Sequence, residues 1–143
     1  MEQPTGLELL QAIFEGRLPR PAAGTLIGMR GVSVEEGRVV FELEPGPQHA
    51  NPMGTTHGGI LATILDSAMT CAVHSVLPAG RVPTTLDLQV RYLRAVPPGI
   101  GRLEAEGRAV HVGGRVGTAE GRVTGEDGTL YATATTSCML LDL

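Results

Sequence analysis

The 143-residue chain contains no tryptophan and only two cysteines. Cys71 and Cys138 are far apart in the sequence, so they form neither a CxxC motif nor the framework of a disulfide-rich domain. We expect both to be small core residues. The four histidines also lack the spacing of zinc ligands, and they are His49, His57, His74 and His111. These absences argue against a metal site and against a disulfide framework.

Lysine is absent as well, and all eleven basic residues are arginines. The formal net charge is −4 and no basic cluster dominates the sequence, which argues against general binding of nucleic acid. Arginine does suit the recognition of phosphate groups, because its guanidinium bonds two phosphate oxygens at once.

Long apolar runs are missing too. No segment approaches the roughly 18 consecutive apolar residues of a membrane span, and residues 1–4 lack the basic and apolar regions of a signal peptide. We therefore expect a cytoplasmic protein without a membrane segment. The content of hydrophobic residues, 42%, argues against disorder. The length fits one domain over residues 1–143, in which residues 1–24 form an N-terminal helix and a linker.

Hydrophobic periodicity predicts the secondary structure. Helical spacing indicates a short helix over residues 7–16, and prolines then indicate a linker. Alternation and flanking turn residues predict strands over residues 26–34, 38–44, 86–92, 102–112, 115–123 and 130–140. Gly113 and Gly114 are typical of a hairpin turn between two of these strands. One long helix against five or six mostly antiparallel strands is an α+β architecture.

The long helix follows a glycine-rich turn. Its apolar residues recur in pairs about every four positions, as in the stripe of a core helix, and they are Ile60, Leu61, Ile64, Leu65, Ala68, Met69, Ala72, Val73 and Val76. Asp66 falls just beside this stripe, with Thr63 and Thr70 on the same side, so its carboxylate is expected to be half-buried. Such a carboxylate is a candidate general base or nucleophile.

His57, Gly58 and Gly59 open this helix. The first backbone N–H groups of a helix lack acceptors within it and favour negative charge, so this end could hold a developing oxyanion. Gly58 and Asp66 are eight residues apart, which corresponds to about 12 Å along one helix. One carbonyl group cannot easily be reached by both. If both take part, the sequence predicts a dimer in which Gly58 and Asp66 of each site come from different subunits.

These features also fit an ordinary turn and a solvated helical aspartate, but a larger pattern is present. The run from His49 to Asp66, followed by residues 84–94, closely resembles the hot-dog-fold acyl-CoA thioesterases of the phenylacetate PaaI type and the related 4-hydroxybenzoyl-CoA thioesterases. The motif is Asn-x6-Gly-Gly with an acidic residue seven positions after the second glycine, and the resemblance extends over about residues 24–139. It implies a hot-dog fold, in which a sheet of five to six strands wraps around one central helix.

The resemblance also implies an activity and roles for individual residues. An acyl- or aryl-CoA thioester would be hydrolysed to a carboxylic acid and CoA, with no metal or redox cofactor. The backbone N–H of Gly58 would polarise the carbonyl group, and His57 would shape the turn. Asp66 would act either as the nucleophile or as the base that activates water.

Three further residues match positions that assist catalysis in the resembled enzymes. Asn51 would lie near the thioester and the attacking water. Thr85 matches a hydroxyl residue that orients water in some members, and Thr70 matches a threonine used by the 4-hydroxybenzoyl-CoA group. This chain has both hydroxyls, so the resemblance does not decide between them.

Two segments would hold the CoA portion of the substrate. They are the end of the strand at residues 92–97 and the hairpin at residues 111–116. Their candidate contacts are Tyr92, Arg94, Pro97, His111, Gly113, Gly114 and Arg115. Assembly as a dimer of dimers is common in the resembled family, so we expect at least a homodimer and, in full, a homotetramer of this kind.

Two other functions remain open at this stage. A hot-dog hydratase or dehydratase would act on the β-carbon of the acyl group with a histidine and a carboxylate, for which His57 is a candidate. A non-catalytic module that binds acyl-CoA is the second alternative. The acyl group itself is also open, since the few aromatic residues permit either an aliphatic or an aryl pocket.

Overall fold

The structure is a computed structural model that describes residues 2–143. Its helices are α1 (Gly6–Phe14), α2 (Ala22–Ile27) and α3 (Gly58–His74). Its strands are β1 (Arg30–Glu35), β2 (Arg38–Leu43), β3 (Arg81–Tyr92), β4 (Leu103–Val112), β5 (Val116–Gly125) and β6 (Leu130–Asp142). A short 3-10 turn, Pro47–His49, precedes the glycine-rich loop. Within residues 2–143, no helix combines the length and the apolarity that a membrane span requires.

The six strands form one antiparallel sheet in the order β1-β2-β4-β5-β6-β3. The chain leaves β2, passes through α3 and returns as β3 at the far edge of the sheet. α3 packs against β2, β3, β4, β5 and β6. This arrangement confirms the predicted α+β architecture with one long helix wrapped by a mostly antiparallel sheet.

The buried face of α3 is the predicted apolar stripe. Seven of its residues are buried, and they are Leu61, Ile64, Leu65, Ala68, Met69, Ala72 and Val73. The helix lies close to the sheet at Gly107 of β4, where a Cβ atom would overlap the carbonyl oxygen of Ala68. Only glycine permits so close an approach. This close packing of α3 on the sheet fixes the direction in which the polar side chains of α3 point.

The N-terminal region differs from the prediction. Residues 22–27 form helix α2, so the expected linker to residue 24 and the expected strand start at residue 26 are both wrong. Gly28 adopts a left-handed conformation with φ +83°, and its N–H donates to the carbonyl oxygen of Gly24. This is the usual glycine termination of a helix. The chain becomes extended only at Arg30.

β3 is longer than predicted and less regular. It begins at Arg81 and contains Pro83, which an edge strand tolerates because its outer side needs no hydrogen-bond donor. The register with β6 shifts between Thr85 and Asp87. The side chain of Leu86 in this bulge is 53% exposed. The bulge interrupts the two-residue alternation on which the predicted strand over residues 86–92 rested.

Candidate active site

The carboxylate of Asp66 lies between α3 and the edge strand β3. The hydroxyl of Thr85, on β3, donates to Oδ1 of Asp66 over 2.8 Å. The hydroxyl of Thr70, one turn later on α3, lies 3.3 Å from the same oxygen and 3.3 Å from the Thr85 hydroxyl. The structure therefore brings together the carboxylate and both candidate hydroxyls.

The two oxygens of Asp66 have different surroundings. Oδ1 is held by the hydroxyls of Thr70 and Thr85, whereas Oδ2 accepts no hydrogen bond from any residue in the range 2–143. Asp66 is half-buried, as predicted from its place beside the apolar stripe. The hydroxyls orient the carboxylate and leave Oδ2 free, which is the geometry that a nucleophile or a general base requires.

The glycine turn at the start of α3 is organised by His57. Its Nδ1 accepts the N–H of Gly59 over 2.9 Å and so caps the helix. The carbonyl oxygen of His57 accepts the N–H of Ile60. Among the described residues 2–143, none accepts a hydrogen bond from the N–H of Gly58. This N–H is therefore available to a ligand, while its neighbour is already used by the cap.

Tyr92 packs on Gly58 from the end of β3. Its hydroxyl donates to the carbonyl oxygen of Gly58 over 2.7 Å. A Cβ atom on Gly58 would lie 3.1 Å from Cζ of the Tyr92 ring. Partial burial raises the pKa of the Tyr92 hydroxyl, so the phenol remains a donor at neutral pH. The tyrosine thus fixes the orientation of the Gly58–Gly59 peptide group, which directly follows the free N–H of Gly58.

The side chain of Asn51 holds the loop before this turn. Its Oδ1 accepts the N–H groups of Met53 over 3.0 Å and Thr55 over 3.2 Å. Its Nδ2 donates to the hydroxyl of Thr55 over 2.8 Å. Asn51 therefore has a clear structural task in the loop, and a contact of Asn51 with the substrate stays a prediction.

His49 also belongs to this site, although the sequence marked it only as the first residue of the motif and predicted no role for its side chain. It is 3% exposed. Its Nδ1 accepts the N–H of Gly46 over 2.9 Å, and its Nε2 lies 2.7 Å from the carbonyl oxygen of Ile27. Its own carbonyl oxygen accepts the N–H of His57 over 2.7 Å. His49 thus connects the end of α2 to the glycine turn, and its place two residues before Asn51 was the available signal.

A cavity of about 310 Å³ adjoins the glycine turn. Its lining residues include Asn51, Gly58, Tyr92 and Arg94. The loop before α3 is joined to the segment after β3, because the N–H of Thr56 donates to the carbonyl oxygen of Val96. The exposed Pro97 follows directly. The structure therefore places one of the two predicted CoA segments, residues 92–97, beside Gly58.

The second predicted CoA segment lies elsewhere in the same chain. His111, Gly113, Gly114 and Arg115 are in the β4–β5 hairpin. Just after this turn, a Cβ atom on Gly117 would lie 2.7 Å from the side chain of Val73, near the end of α3. Val73 is fifteen residues after Gly58, which corresponds to about 22 Å along the helix. Within one chain, the two segments are at opposite ends of α3.

The Asp66 carboxylate and the N–H of Gly58 are also far apart within one chain. Gly58 and Asp66 belong to one continuous helix, so the spacing of about 12 Å expected from the sequence holds in the structure. One chain provides a carboxylate at one place and a free N–H at another.

Within residues 2–143, no group of three or more His, Cys, Asp or Glu side chains is arranged to hold a metal ion.

Comparisons with known proteins identify relatives of this chain. Residues 53–132 match the thioesterase superfamily. A Halobacterium salinarum protein, provisionally named an esterase, is 41% identical over 105 residues, which are 66% of each chain. The 1,4-dihydroxy-2-naphthoyl-CoA hydrolase of Listeria monocytogenes is 27% identical over 100 residues, 70% of this chain and 80% of that protein. Human acyl-coenzyme A thioesterase 13 is 32% identical over 62 residues, 43% of this chain. The chain spans just under two thirds of the first relative's length and 44% of the human protein's.

Solved structures share the architecture. The PaaI protein of the E. coli phenylacetic acid degradation operon superposes with a TM-score of 0.82 at 20% identity, covering 95% of this chain and 93% of that one. A Streptococcus mutans protein bound to acetyl CoA superposes with a TM-score of 0.73 at 27% identity, covering 80% of this chain and 89% of that one. These likenesses confirm the predicted fold. The chain belongs to the thioesterase superfamily and adopts the hot-dog fold.

Proposed function

We propose that this protein hydrolyses the thioester of an acyl-CoA to a carboxylic acid and free CoA. The observation that carries the proposal is the free Oδ2 of Asp66, in a carboxylate whose other oxygen is held by Thr70 and Thr85. The free N–H of Gly58 supports it, since a thioester carbonyl needs a donor for the negative charge that develops on its oxygen. The names of the relatives agree with a CoA thioester as the substrate.

Asp66 serves the reaction by one of two routes. As a nucleophile, Oδ2 bonds to the thioester carbon and CoA leaves as the thiolate, which then takes a proton. Water hydrolyses the resulting mixed anhydride and regenerates the carboxylate. As a general base, Oδ2 takes a proton from water while that water attacks the carbonyl carbon. In both routes, one water is consumed for each acid and each CoA released.

The proposal includes a dimer, because one chain separates Gly58 from Asp66 by about 12 Å. β3 is a twelve-residue strand at the edge of the sheet, and its outer backbone groups have no partner strand within the described chain. Long open edges favour pairing with another strand. Leu86 is 53% exposed and Tyr92 is 51% exposed in the single chain, which agrees with an edge that a second copy covers.

Antiparallel pairing of two copies of β3 would complete the site. With a two-fold axis through Gln89 and Leu86 as the extra residue of the bulge, Thr85 of one protomer lies opposite Tyr92 of its partner, and all directly opposed residues share a face. Thr85 contacts Asp66, and Tyr92 contacts Gly58. The rotation therefore carries the carboxylate of one protomer toward the free N–H of the other. It also moves the β4–β5 hairpin of the partner toward the Tyr92–Arg94 segment, which would unite the two predicted CoA segments.

A dimer of dimers is part of the same proposal. Exposed apolar residues on the sheet remain outside the β3 edge, including Val110, Val116 and Met139. Val116 and Met139 are paired across β5 and β6, and neighbouring exposed apolar residues favour a protein contact. Sedimentation at several concentrations would resolve dimers from tetramers, and a strictly monomeric active enzyme would contradict both.

The test is a hydrolysis screen over short, medium, long and aryl acyl-CoAs, in which the release of the free CoA thiol is measured. Asp66→Asn keeps the size of the side chain but removes its charge and basicity, so turnover should fall at least a hundredfold. Asp127→Asn, the same change in an exposed turn, should retain the wild-type rate. Near-wild-type turnover in Asp66→Asn would refute the mechanism.

The same screen separates the two alternative functions. A hydratase or dehydratase would change the acyl chain without releasing thiol, and a binding module would bind acyl-CoA without any turnover. The ring of His57 already caps α3 through Nδ1, which leaves Asp66 as the better placed reactive group.

A further inference from the structure

We propose that the acyl group of the substrate lies in an apolar cavity under the N-terminal helices, and that this cavity selects apolar acyl groups of medium length. The inference rests on the proposed function. The cavity has a volume of about 560 Å³. Its lining residues come from α1, α2, the connection from α2 into β1, β2 and α3, and they include Leu10, Phe14, Met29, Phe41, Ser67 and Cys71.

The wall of the cavity includes the residue that directly follows Asp66 in α3. Ser67 follows Asp66 in α3, and consecutive Cα atoms are about 3.8 Å apart. Cys71 likewise follows Thr70. One flank of α3 therefore presents the reactive pair, and the flank about 100° further around presents the cavity wall. The negative charge of Asp66 contributes to the raised pKa of the Cys71 thiol, which agrees with their proximity. An acyl chain whose carbonyl carbon is at Asp66 needs only to cross Ser67 to enter the cavity.

The roof of the cavity is held firmly. At Gly6, a Cβ atom would overlap the carbonyl oxygen of His74, so α1 begins directly against the end of α3. At Gly31, a Cβ atom would lie 2.6 Å from three atoms of the Phe14 ring. That ring also packs edge-on against Phe41, with 5.2 Å between the centroids. The two glycines and the aromatic pair fix α1 over α3 and keep the space beneath it open.

The interior of the cavity favours apolar ligands. Arg20 and Arg30 are at the rim and are exposed, and the guanidinium of Arg30 is paired with Glu42. The volume corresponds to about 19 water molecules at roughly 30 Å³ each. A chain of about eight carbons fits with room to spare, whereas an acetyl group would leave most of the space unused.

Most of the wall lies outside the segment that matches the superfamily. That match covers residues 53–132, and of the lining residues named above only Ser67 and Cys71 are within it.

The experiment compares kcat/KM for acetyl-, butyryl-, hexanoyl-, octanoyl- and decanoyl-CoA. Burial of each additional methylene should raise kcat/KM about fourfold until the cavity is filled. Two variants fill the cavity, Ala23→Phe from α2 and Cys71→Leu from α3, and each should lower the ratio of octanoyl to acetyl kcat/KM at least tenfold. Thr25→Phe is the matched control, because it adds the same ring to α2 at an exposed position that does not line the cavity. Its ratio should stay within twofold of the wild-type ratio.

An enlarging variant supplies an independent readout. Ile13→Ala removes part of the wall, so its optimum should move to a longer acyl chain. Thermal melting of each variant identifies any that fail to fold, and the remaining variants then decide the question. Unchanged chain-length profiles in the folded variants would overturn this inference alone. If the wild type hydrolysed no acyl-CoA, the proposed function itself would fail, and this inference with it.

Discussion

Thr85 donates a hydrogen bond of 2.8 Å to Oδ1 of Asp66 across the gap between β3 and α3. The two residues are nineteen positions apart in the chain, and only the return of β3 along the sheet edge brings them together. This contact joins the reactive carboxylate to the strand through which we propose that the protein dimerises. Several consequences of this geometry can be measured.

Removal of the Thr85 hydroxyl should impair turnover. Thr85→Val keeps the shape of the side chain and removes the donor to Asp66. A hydrogen bond to a charged group contributes about 1.5–3 kcal/mol, so kcat should fall roughly ten- to hundredfold with a smaller change in KM. Thr70→Val should cost less, because its hydroxyl lies 3.3 Å from Oδ1. Thr63→Val is the control, since the Thr63 hydroxyl bonds the carbonyl oxygen of Gly59 instead. A loss in Thr63→Val equal to that in Thr85→Val would contradict the assignment.

A side chain at Gly58 should disturb the glycine turn that we propose to bind the oxyanion. In Gly58→Ala, the new Cβ would lie 3.1 Å from the Tyr92 ring, so the ring or the turn must shift. We expect kcat to fall at least tenfold, because the donor must be accurately placed to stabilise developing charge. The double variant Gly58→Ala with Tyr92→Leu relieves the contact. A partial recovery of kcat in the double variant would identify the tyrosine contact as the cause, and a larger loss would argue against it.

Mixed dimers test whether each site uses two subunits. Asp66→Asn and Gly58→Val are each expected to be inactive as pure proteins. If every site combines Asp66 of one subunit with Gly58 of the other, a mixed dimer has one intact site and one doubly defective site. Random refolding of an equal mixture makes half of the dimers mixed, so about one quarter of the wild-type rate should return. A mixture that stays inactive, although mass spectrometry detects mixed dimers, would show that both groups act within one chain.

The cysteines should resist alkylation in the folded protein. Burial, with a contribution from the Asp66 charge, raises the pKa of the Cys71 thiol from 9.0 to about 12. Burial also raises the pKa of Cys138. A raised pKa means less thiolate at a given pH, so at pH 8 the reactive fraction of Cys71 falls about a thousandfold. Iodoacetamide followed by intact-mass measurement should find the native protein unmodified and the urea-denatured protein modified at both sites. Rapid labelling of native Cys71 would disagree with this environment.

Gly107 should be indispensable for stability. In Gly107→Val, the branched side chain would meet the backbone of Ala68 in α3, and the helix would have to move off the sheet. Overpacking of this kind costs about 1–3 kcal/mol or more, so thermal melting should show a clearly lower Tm or no folded protein. Gly114→Val is a suitable comparison, because a Cβ at Gly114 meets nothing within 4 Å. Equal melting temperatures for the two variants would contradict the close packing of α3 on β4.

Parts of the fold and of the candidate site follow local rules and could be predicted. The apolar stripe of α3 repeats with the period of a helix, so the helix and its buried face were predicted correctly, although the helix ends at His74 and excludes Val76. The half-buried position of Asp66 and its distance from Gly58 followed from the same period. Gly113 and Gly114 lie at the β4–β5 connection, as their turn propensity indicated.

Other parts depended on contacts between distant segments. The sequence offered Thr70 and Thr85 as alternatives, whereas the fold brings both to Oδ1 of Asp66. The glycine that ends α2, Gly28, was visible in the sequence, but the apolar residues before it fit either a strand or a helix by local pattern alone. The bulge at Leu86 arises from the register of β3 against β6, which no local pattern predicts.

By itself, the sequence determined the central helix, its glycine turn and the spacing that separates Gly58 from Asp66, because helical geometry converts residue number directly into distance. Only the tertiary structure decided which groups surround these two residues. Oδ1 of Asp66 accepts hydrogen bonds from two hydroxyls while Oδ2 accepts none from residues 2–143, and the carbonyl oxygen of Gly58 accepts one from the Tyr92 hydroxyl. It also opened the cavity beneath α1. The physical reason is that strand order, register and helix packing set distances between residues that are remote in the chain, and those distances follow from the packing of the whole molecule.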